Sequence, residues 1–357
     1  MRRVGIRCDA GVGRGVGHLM RCLALAEELR ERRLEVVVLG DMGGLEWAAE
    51  QLARRGLRLL PGPGDAAAMV RAARRLALDA VVVDSYDLDP RCSGALRRAG
   101  VRVLAVVDDD DRGQDADIYL DQNLGAERGP GRAPAGSVRL AGVRYALLRD
   151  DVRRLRRRGP TEPGRPDGAL PPGGVPTEPG RPPRVLCFFG GTDAAGAAPV
   201  VVGELIATGV PFLATAVTPR ERALDHLRPG SGQTIRRIPP TDGLPRLIAA
   251  ADLVVTAAGS SMWDLLYLGK AAALVWVAAN QRPGYEEVVS RGLAAGLGHL
   301  DAVAGTAGPA RARLRDLLTS ARAREELGAR GPALVDGEGR ARVADALLAP
   351  DPHGALP

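Results

Sequence analysis

His18 is the residue of this chain best placed to do chemistry. It stands at the mouth of a turn that holds Gly11, Gly13, Gly15 and Gly17, and Arg21 follows one helical turn later. Glycines let backbone come close to a ligand, and a helix starting near His18 adds unpaired amides and a positive dipole end, the outline of a phosphate or sugar pocket. A neutral imidazole there can take a proton from water or a sugar hydroxyl near neutral pH. His226, His299 and His353 fall in weakly patterned or terminal contexts.

Other polar groups follow apolar runs. Asp84, Ser85 and Tyr86 come after the run 80–83, the four aspartates 108–111 after 103–107, and Asp121, Gln122 and Asn123 after a short run at 118. The acidic run reads either as a divalent-ion site or as a solvated loop or helix cap, and one of its members could instead orient His18 or hold a sugar hydroxyl. Further along, Gly259, Ser260 and Ser261 open a helix after the strand-like run 252–256, which suits a diphosphate. Asp264, one turn in, can accept from ribose hydroxyls; an ordinary capped helix would look the same. Gly190, Gly191, Thr192 and Asp193 form the matching turn on the run 184–189. Asn280 and Gln281 are amides able to read sugar hydroxyls or acetamido groups, or simply to cap a turn.

These residues need elements to hold them at strand ends. Short apolar runs at 4–7, 35–40, 57–60, 79–83 and 101–107 alternate with helical patterns at 18–32, 44–55, 65–77 and 90–99, followed by strand-like pieces at 118–121, 138–140 and 145–148. A second alternation begins at 184, with strands expected at 184–189, 211–217, 233–238, 252–256, 271–277 and 293–297. Its helices are expected at 196–207, 219–227, 243–250, 261–268, 283–291 and after 308, closing near 340–348. Alternation of this kind makes parallel, doubly wound sheets, whose ligands bind beyond the carboxyl ends of the strands. The organisation expected is a Rossmann-like domain over 1–149, a linker over 150–183, and a second Rossmann-like domain over 184–349, with a cleft between the domains. In the linker, proline, glycine and charge dominate, and the heptapeptide at 160–166 recurs at 176–182; it is expected to be mobile and without chemistry.

Composition narrows the classes. At 357 residues and 45% apolar content the chain exceeds one core. No run spans a bilayer and the first residues lack a secretory pattern, so a cytoplasmic protein is expected. The net charge of +6 is almost all arginine, Lys270 being the only lysine, and aromatics make up 3% of the chain, so stacking platforms for nucleic acid are scarce. The basic run 153–158 reads as a solvated helix face. Cys8, Cys22, Cys92 and Cys187 are too scattered for a zinc site or a disulfide framework and read as buried thiols. Neither glycine turn has the spacing of a dinucleotide fingerprint or a P-loop, which sets nicotinamide and ATP chemistry aside.

In their order along the chain, the segment 15–21 with His18, then Asp84 to Tyr86, Asp108 and Asp109, Asp121 to Asn123, Gly190 to Asp193, 257–264 and the pair Asn280 and Gln281 resemble the UDP-sugar hydrolase family of pseudaminic acid biosynthesis, within a wider group of spore coat polysaccharide proteins. The resemblance covers most of the chain apart from the linker. It implies a GT-B-like α/β fold of two Rossmann-like domains, similar to inverting glycosyltransferases such as the enzyme that adds N-acetylglucosamine to lipid I. The activity implied is release of 2,4-diacetamido-2,4,6-trideoxy-L-altrose from UDP by metal-independent attack of water, with no cofactor. His18 would be the general base. Gly15, Gly17, Arg21, Tyr86, Asp108, Asn123, Asn280 and Gln281 would lie on the sugar side. Gly190, Gly191, Gly259, Ser260, Ser261 and Asp264 would hold UDP, Asp264 standing where relatives usually have glutamate. A glycosyltransferase using the same site with an alcohol acceptor is the alternative, and a silent nucleotide-sugar binder is a third reading. The partner expected is a UDP-sugar, with no nucleic acid, no membrane span and a monomeric chain.

Overall fold

Runs of β-branched and leucine residues long enough to cross a core, but too short for helices, set the two sheets. The computed structural model describes residues 1–129, 134, 136–157, 180–305 and 308–350. The chain divides into two units, residues 1–150 with 337 onward, and residues 151–336. In the first, β1 (Arg3–Cys8), β2 (Glu35–Leu39), β3 (Arg58–Leu60), β4 (Ala80–Asp84), β5 (Arg102–Val106), β6 (Ile118–Asp121) and β7 (Val138–Ala141) form one parallel sheet in the order β3-β2-β1-β4-β5-β6-β7. The order reverses beside β1, so the loops leaving β1 and β4 diverge there and open a crevice at their carboxyl ends. In the ladder Cys8 stands opposite Asp84. The helix Gly17–Glu31 buries Leu19, Leu23, Leu25 and Leu29 against this sheet.

The second unit repeats the plan. β8 (Arg184–Phe188), β9 (Phe212–Val217), β10 (Gln233–Ile238), β11 (Leu253–Ala257), β12 (Ala272–Trp276) and β13 (Ala295–His299) run parallel in the order β10-β9-β8-β11-β12-β13, reversing between β8 and β11. Thr256 faces Phe188 across that junction, which puts the turns at Gly190 and Gly259 side by side. The single lysine, Lys270, is buried with its ammonium donating to the carbonyls of Ala249 (2.5 Å) and Ala251 (3.3 Å), and burial pushes it down to about 8. Among the described residues no helix is long and apolar enough to cross a membrane.

Four expectations are corrected. Residues 219–227 make no helix: their bonds run from Ala223 to Arg220 and from Leu227 to Leu224, turn spacing, in an exposed stretch bracketed by Pro219 and Pro229. Residues 145–148 make no strand; Val143–Tyr145 is a 3-10 turn and the Leu147 amide donates to Gln122 Oε1 instead of to a ladder. The basic run is not a solvated helix face within a linker. Asp150–Arg157 is a helix in which Arg153 is buried, its carbonyl accepting from the Tyr267 hydroxyl, and Arg156 lies 4.8 Å from the Tyr267 ring centre. The duplicated heptapeptide lies outside the described residues except for the end of its second copy, where Arg181 pairs with Asp252 at 2.9 Å.

The fourth correction concerns the closing helix, Gly339–Leu348, which belongs to the first unit and not to the second. Val343, Ala344 and Leu347 enter the core around β1, and Arg340, 1% exposed, is ringed by carboxylates. Asp150 lies 2.7 Å away, Glu28 3.0 Å, Glu31 3.1 Å and Glu27 3.3 Å. Three of these sit at the end of the helix that begins at Gly17, where the helix dipole disfavours negative charge and a buried guanidinium compensates. Replacing Arg340 with alanine strands those acids, and breaking a buried pair this way costs about 3–5 kcal/mol. Urea unfolding of Arg340→Ala is expected to show a loss of that size; a loss under about 1 kcal/mol would show that water already screens the cluster.

Candidate active site

The first switch point gathers its side chains from four strand ends. After β1 the chain closes a small loop in which the amides and carbonyls of Gly11 and Gly15 bond reciprocally (3.2 and 2.8 Å), Gly15 adopting φ +73°. Arg14 at the loop tip pairs with Asp87, 2.5 Å away. Gly17 then starts the helix, so His18 and Arg21, three residues apart, share one face directed at the end of β4. His18 Nδ1 lies 2.5 Å from Asp84 Oδ1. Arg21 grips the same carboxylate with two bonds, Nε to Oδ2 at 2.7 Å and Nη2 to Oδ1 at 2.6 Å, and the Cys22 thiol donates to Oδ2 at 3.4 Å.

Asp84 is fully buried. Burial opposes its ionisation, but the charges of Arg21 and His18 outweigh it and hold the carboxyl far below the usual carboxylate range. An ionised carboxylate only accepts, so Nδ1 carries a proton toward it, and in the neutral ring the lone pair is then on Nε2. That is the arrangement of an oriented base. Burial also opposes the charge on Arg21, and Asp84 and Asp108 together drive it the other way, well above its ordinary value. The Cys22 thiol is pushed well up by its hydrogen bond with the Cys8 thiol and by burial, so it lacks the character of a nucleophile.

The ends of β5 and β6 complete the group. Asp108, whose carboxyl burial would raise, is instead held below the usual range, by Arg21 first and then by the Tyr86 hydroxyl and Asn123. Tyr86 donates to Asp108 Oδ2. Asn123 Nδ2 donates to Asp108 Oδ1 at 2.8 Å, and Arg21 Nη1 lies 3.4 Å from that same oxygen. The rings of His18 and Tyr86 meet edge to face at 4.7 Å, and the Arg112 guanidinium lies 4.4 Å from the Tyr86 ring centre. Asp109 and Arg112 both hold positive φ, +67° and +52°, which folds the acidic run back on itself.

Of the residues expected on the sugar side, the structure therefore assembles His18, Arg21, Tyr86, Asp108 and Asn123 around one network, with Gly15 and Gly17 shaping the turn. The group that orients His18 is Asp84 and not a member of 108–111; Asp110 and Asp111 accept from the amides of Arg112 and Gly113 within their own turn. Asp84 could have been picked out as the final residue of a buried strand, since an acid there has no solvent to face.

In the second unit, Gly190 (φ +76°) and Gly191 lead into Asp193, whose buried carboxylate caps the helix Ala197–Ala207 through the amides of Ala197 (2.8 Å) and Ala198 (3.3 Å). Ser260 and Ser261 are half-buried at the start of the helix Ser261–Tyr267, and Asp264 lies in its first turn. Asn280 is exposed. Gln281 Oε1 accepts from the Val277 amide at 3.0 Å, so this amide does cap its turn. Trp276 and His299, at neighbouring strand ends, meet with their rings tilted and 4.1 Å between ring centres, a pair that sequence reading missed because they are distant in the chain.

Comparison with known structures bears on the architecture. MurG of Acinetobacter baumannii superposes with a TM-score of 0.67 over 97% of this chain and 99% of its own at 15% identity. UDP-GlcNAc 2-epimerase of Neisseria meningitidis, bound to UDP-GlcNAc, gives 0.61 over 98% and 100% at 11% identity, and the spinosyn rhamnosyltransferase SpnG gives 0.59 over 96% and 99% at 13%. This chain has a GT-B-like fold. No family model matches it. An uncharacterized protein of Methanocaldococcus jannaschii is 20% identical over 300 residues, a match that covers 81% of this chain and 58% of that relative's length.

The buried carboxylate makes a pH test possible. A carboxyl depressed in the fold contributes stability that is present above its unfolded value, about 3.9, and is lost as pH falls through its folded value. Asp84→Asn leaves buried Arg21 without its main partner and is expected to cost about 3–5 kcal/mol at pH 7. The deficit should shrink below about pH 4, where the unaltered chain pays for keeping Asp84 ionised. A deficit independent of pH between 7 and 3 would contradict the assignment.

Proposed function

We propose that this chain is a nucleotide-sugar hydrolase that releases a 2,4-diacetamido-2,4,6-trideoxy hexose from UDP by attack of water at the anomeric carbon. The observation that carries this reading is the His18–Asp84 pair, which fixes a proton on Nδ1 and leaves Nε2 as a base at a strand-end crevice. In the step proposed, water oxygen bonds to the anomeric carbon, its proton passes to His18 Nε2, and the bond from that carbon to the β-phosphate oxygen breaks with its electron pair leaving on UDP. The imidazolium formed is stabilised by Asp84, as an orienting carboxylate does in other His–Asp pairs. UDP departs readily, so the chain needs only to activate and aim the water and to stabilise the departing charge.

On this reading Arg21 fixes Asp84 and Asp108, while Tyr86, Asp108 and Asn123 face the sugar with Gly15 and Gly17 making room for it. Gly190, Gly191, Gly259, Ser260 and Ser261 hold the diphosphate, Asp264 meets the ribose, and Asn280 and Gln281 lie toward the sugar and phosphates. Support for a UDP-sugar comes from the fold neighbour that binds UDP-GlcNAc. The chain acts without a cofactor, as a monomer in the cytoplasm.

Incubating the protein with the UDP-sugar in the absence of any acceptor should release UDP. His18→Ala is expected to slow that release by about 10²–10⁴-fold while leaving UDP affinity within about twofold, the behaviour of a base and not of a binding group. Release only after an alcohol is added would make the protein a glycosyltransferase, a reading that the fold shared with a rhamnosyltransferase keeps in play. Asp264→Ala should weaken UDP binding by about tenfold or more, the size of a lost hydrogen bond to a charged group; unchanged affinity would remove Asp264 from the site.

A further inference from the structure

The first unit has a second concave feature, on the other face of its sheet from the helix that carries His18. Helix Gly17–Glu31 packs on Val4, Ile6, Val36 and Val38, whereas helix Ala66–Arg75 sends Met69 and Ala73 onto Val37, Leu39, Val81 and Val83. Alternate residues of a strand point opposite ways, so the two helices cover opposite faces. Beside Ala66–Arg75 lies an open cavity of about 570 Å³. Leu39, Pro61, Pro63 and Ala72 give it an apolar lining, and Arg71 and Arg75, one helical turn apart, line it from the helix. Both arginines are exposed, and among the described residues neither has a hydrogen-bond or ion-pair partner.

The wall made by residues 61–63 is built to keep its shape. A Cβ on Gly62 would lie 2.9 Å from Arg7 Cζ and 2.9 Å from Gly40 Cα, too close for a side chain, so the backbone there rests on a buried guanidinium. Arg7 donates through Nε to the Pro63 carbonyl at 3.1 Å and is itself fixed by Asp9 at 2.7 Å. The Gly40 amide donates to the Leu60 carbonyl at 2.9 Å, which ties the start of the wall to the end of β2. Pro61 and Pro63 have a fixed φ and no amide proton. The wall is therefore preformed and presents proline rings, and recognition of charge falls to the two arginines.

We propose that this cavity is a second ligand site, for a small organic anion: a phosphate or carboxylate held by Arg71 and Arg75 and carried on an apolar body that lies on Leu39, Pro61 and Pro63. Its volume falls within the range of about 300–1,000 Å³ usual for small-molecule sites. Guanidinium forks match the oxygens of phosphate and carboxylate. An inorganic anion would leave the apolar lining uncovered, and a neutral apolar molecule would leave both guanidiniums unused. A ligand with both parts satisfies the whole cavity. The proposal does not depend on the chemistry proposed for His18.

The test is calorimetric titration of the full chain with 1-naphthyl phosphate, inorganic phosphate and 1-naphthol. Naphthyl phosphate is expected to bind with a Kd below about 1 mM, at least about tenfold tighter than either of the other two. The double variant Arg71→Gln, Arg75→Gln should weaken it at least about tenfold. Ala68→Phe, which fills the apolar part and leaves both arginines in place, should weaken it as much. Naphthyl phosphate binding no tighter than inorganic phosphate would show an adventitious ion only and overturn the proposal. Naphthyl phosphate binding no tighter than naphthol, or undiminished binding to either variant, would also overturn it. The comparison of the three compounds uses the unaltered chain, so a poorly folded variant leaves it decisive.

Discussion

Everything proposed for this chain depends on one buried negative charge. Asp84 has no contact with solvent and is kept ionised by a guanidinium bonded to both its oxygens and by the imidazole beside it. An isolated carboxylate at such a place would take up a proton and could no longer hold His18 in one tautomer. Arg21 therefore acts on His18 through Asp84, and it reaches Asp108 as well, so one cation organises both the base and the surface on which Tyr86 and Asn123 are built. The register that sets Cys8 against Asp84 and the helix that sets His18 and Arg21 on one face are what bring these charges together.

The helix Gly17–Glu31 is held at both ends by arginine–carboxylate clusters of opposite design. At its start an arginine of the helix grips acids from the sheet. At its end the acids Glu27, Glu28 and Glu31 belong to the helix and are gripped by Arg340 from the closing segment of the chain. Both clusters therefore tie down the same helix, one at the end that carries His18 and the other at the opposite end. The last helix thus packs on the element that carries His18 and Arg21.

Much of this was legible in the sequence, and the failures have one cause. Val36 to Leu39, Val81 to Val83 and Leu253 to Val255 announce buried parallel strands by composition alone, and glycine turns after the first strand of each unit mark the switch points. His18, Arg21, Tyr86, Asp108 and Asn123 could be chosen because each follows such a strand. Which acid meets His18 could not be chosen, because Asp84 is 66 residues away and the pairing depends on sheet order. The same holds for Arg340, 313 residues from Glu27, which local pattern assigns to the wrong unit. The segment 219–227 failed differently: it has helix-forming residues, but prolines bracket it and it has little apolar surface to bury, so propensity had no packing to support it.

The central claim is that water, activated by His18, attacks the sugar's anomeric carbon. Turnover of the UDP-sugar without acceptor in water enriched in oxygen-18, with both products weighed by mass spectrometry, tests it most directly. The account predicts one heavy oxygen on the free sugar and none on UDP. Heavy oxygen on UDP, which requires attack at phosphorus, or no free sugar at all, would contradict it.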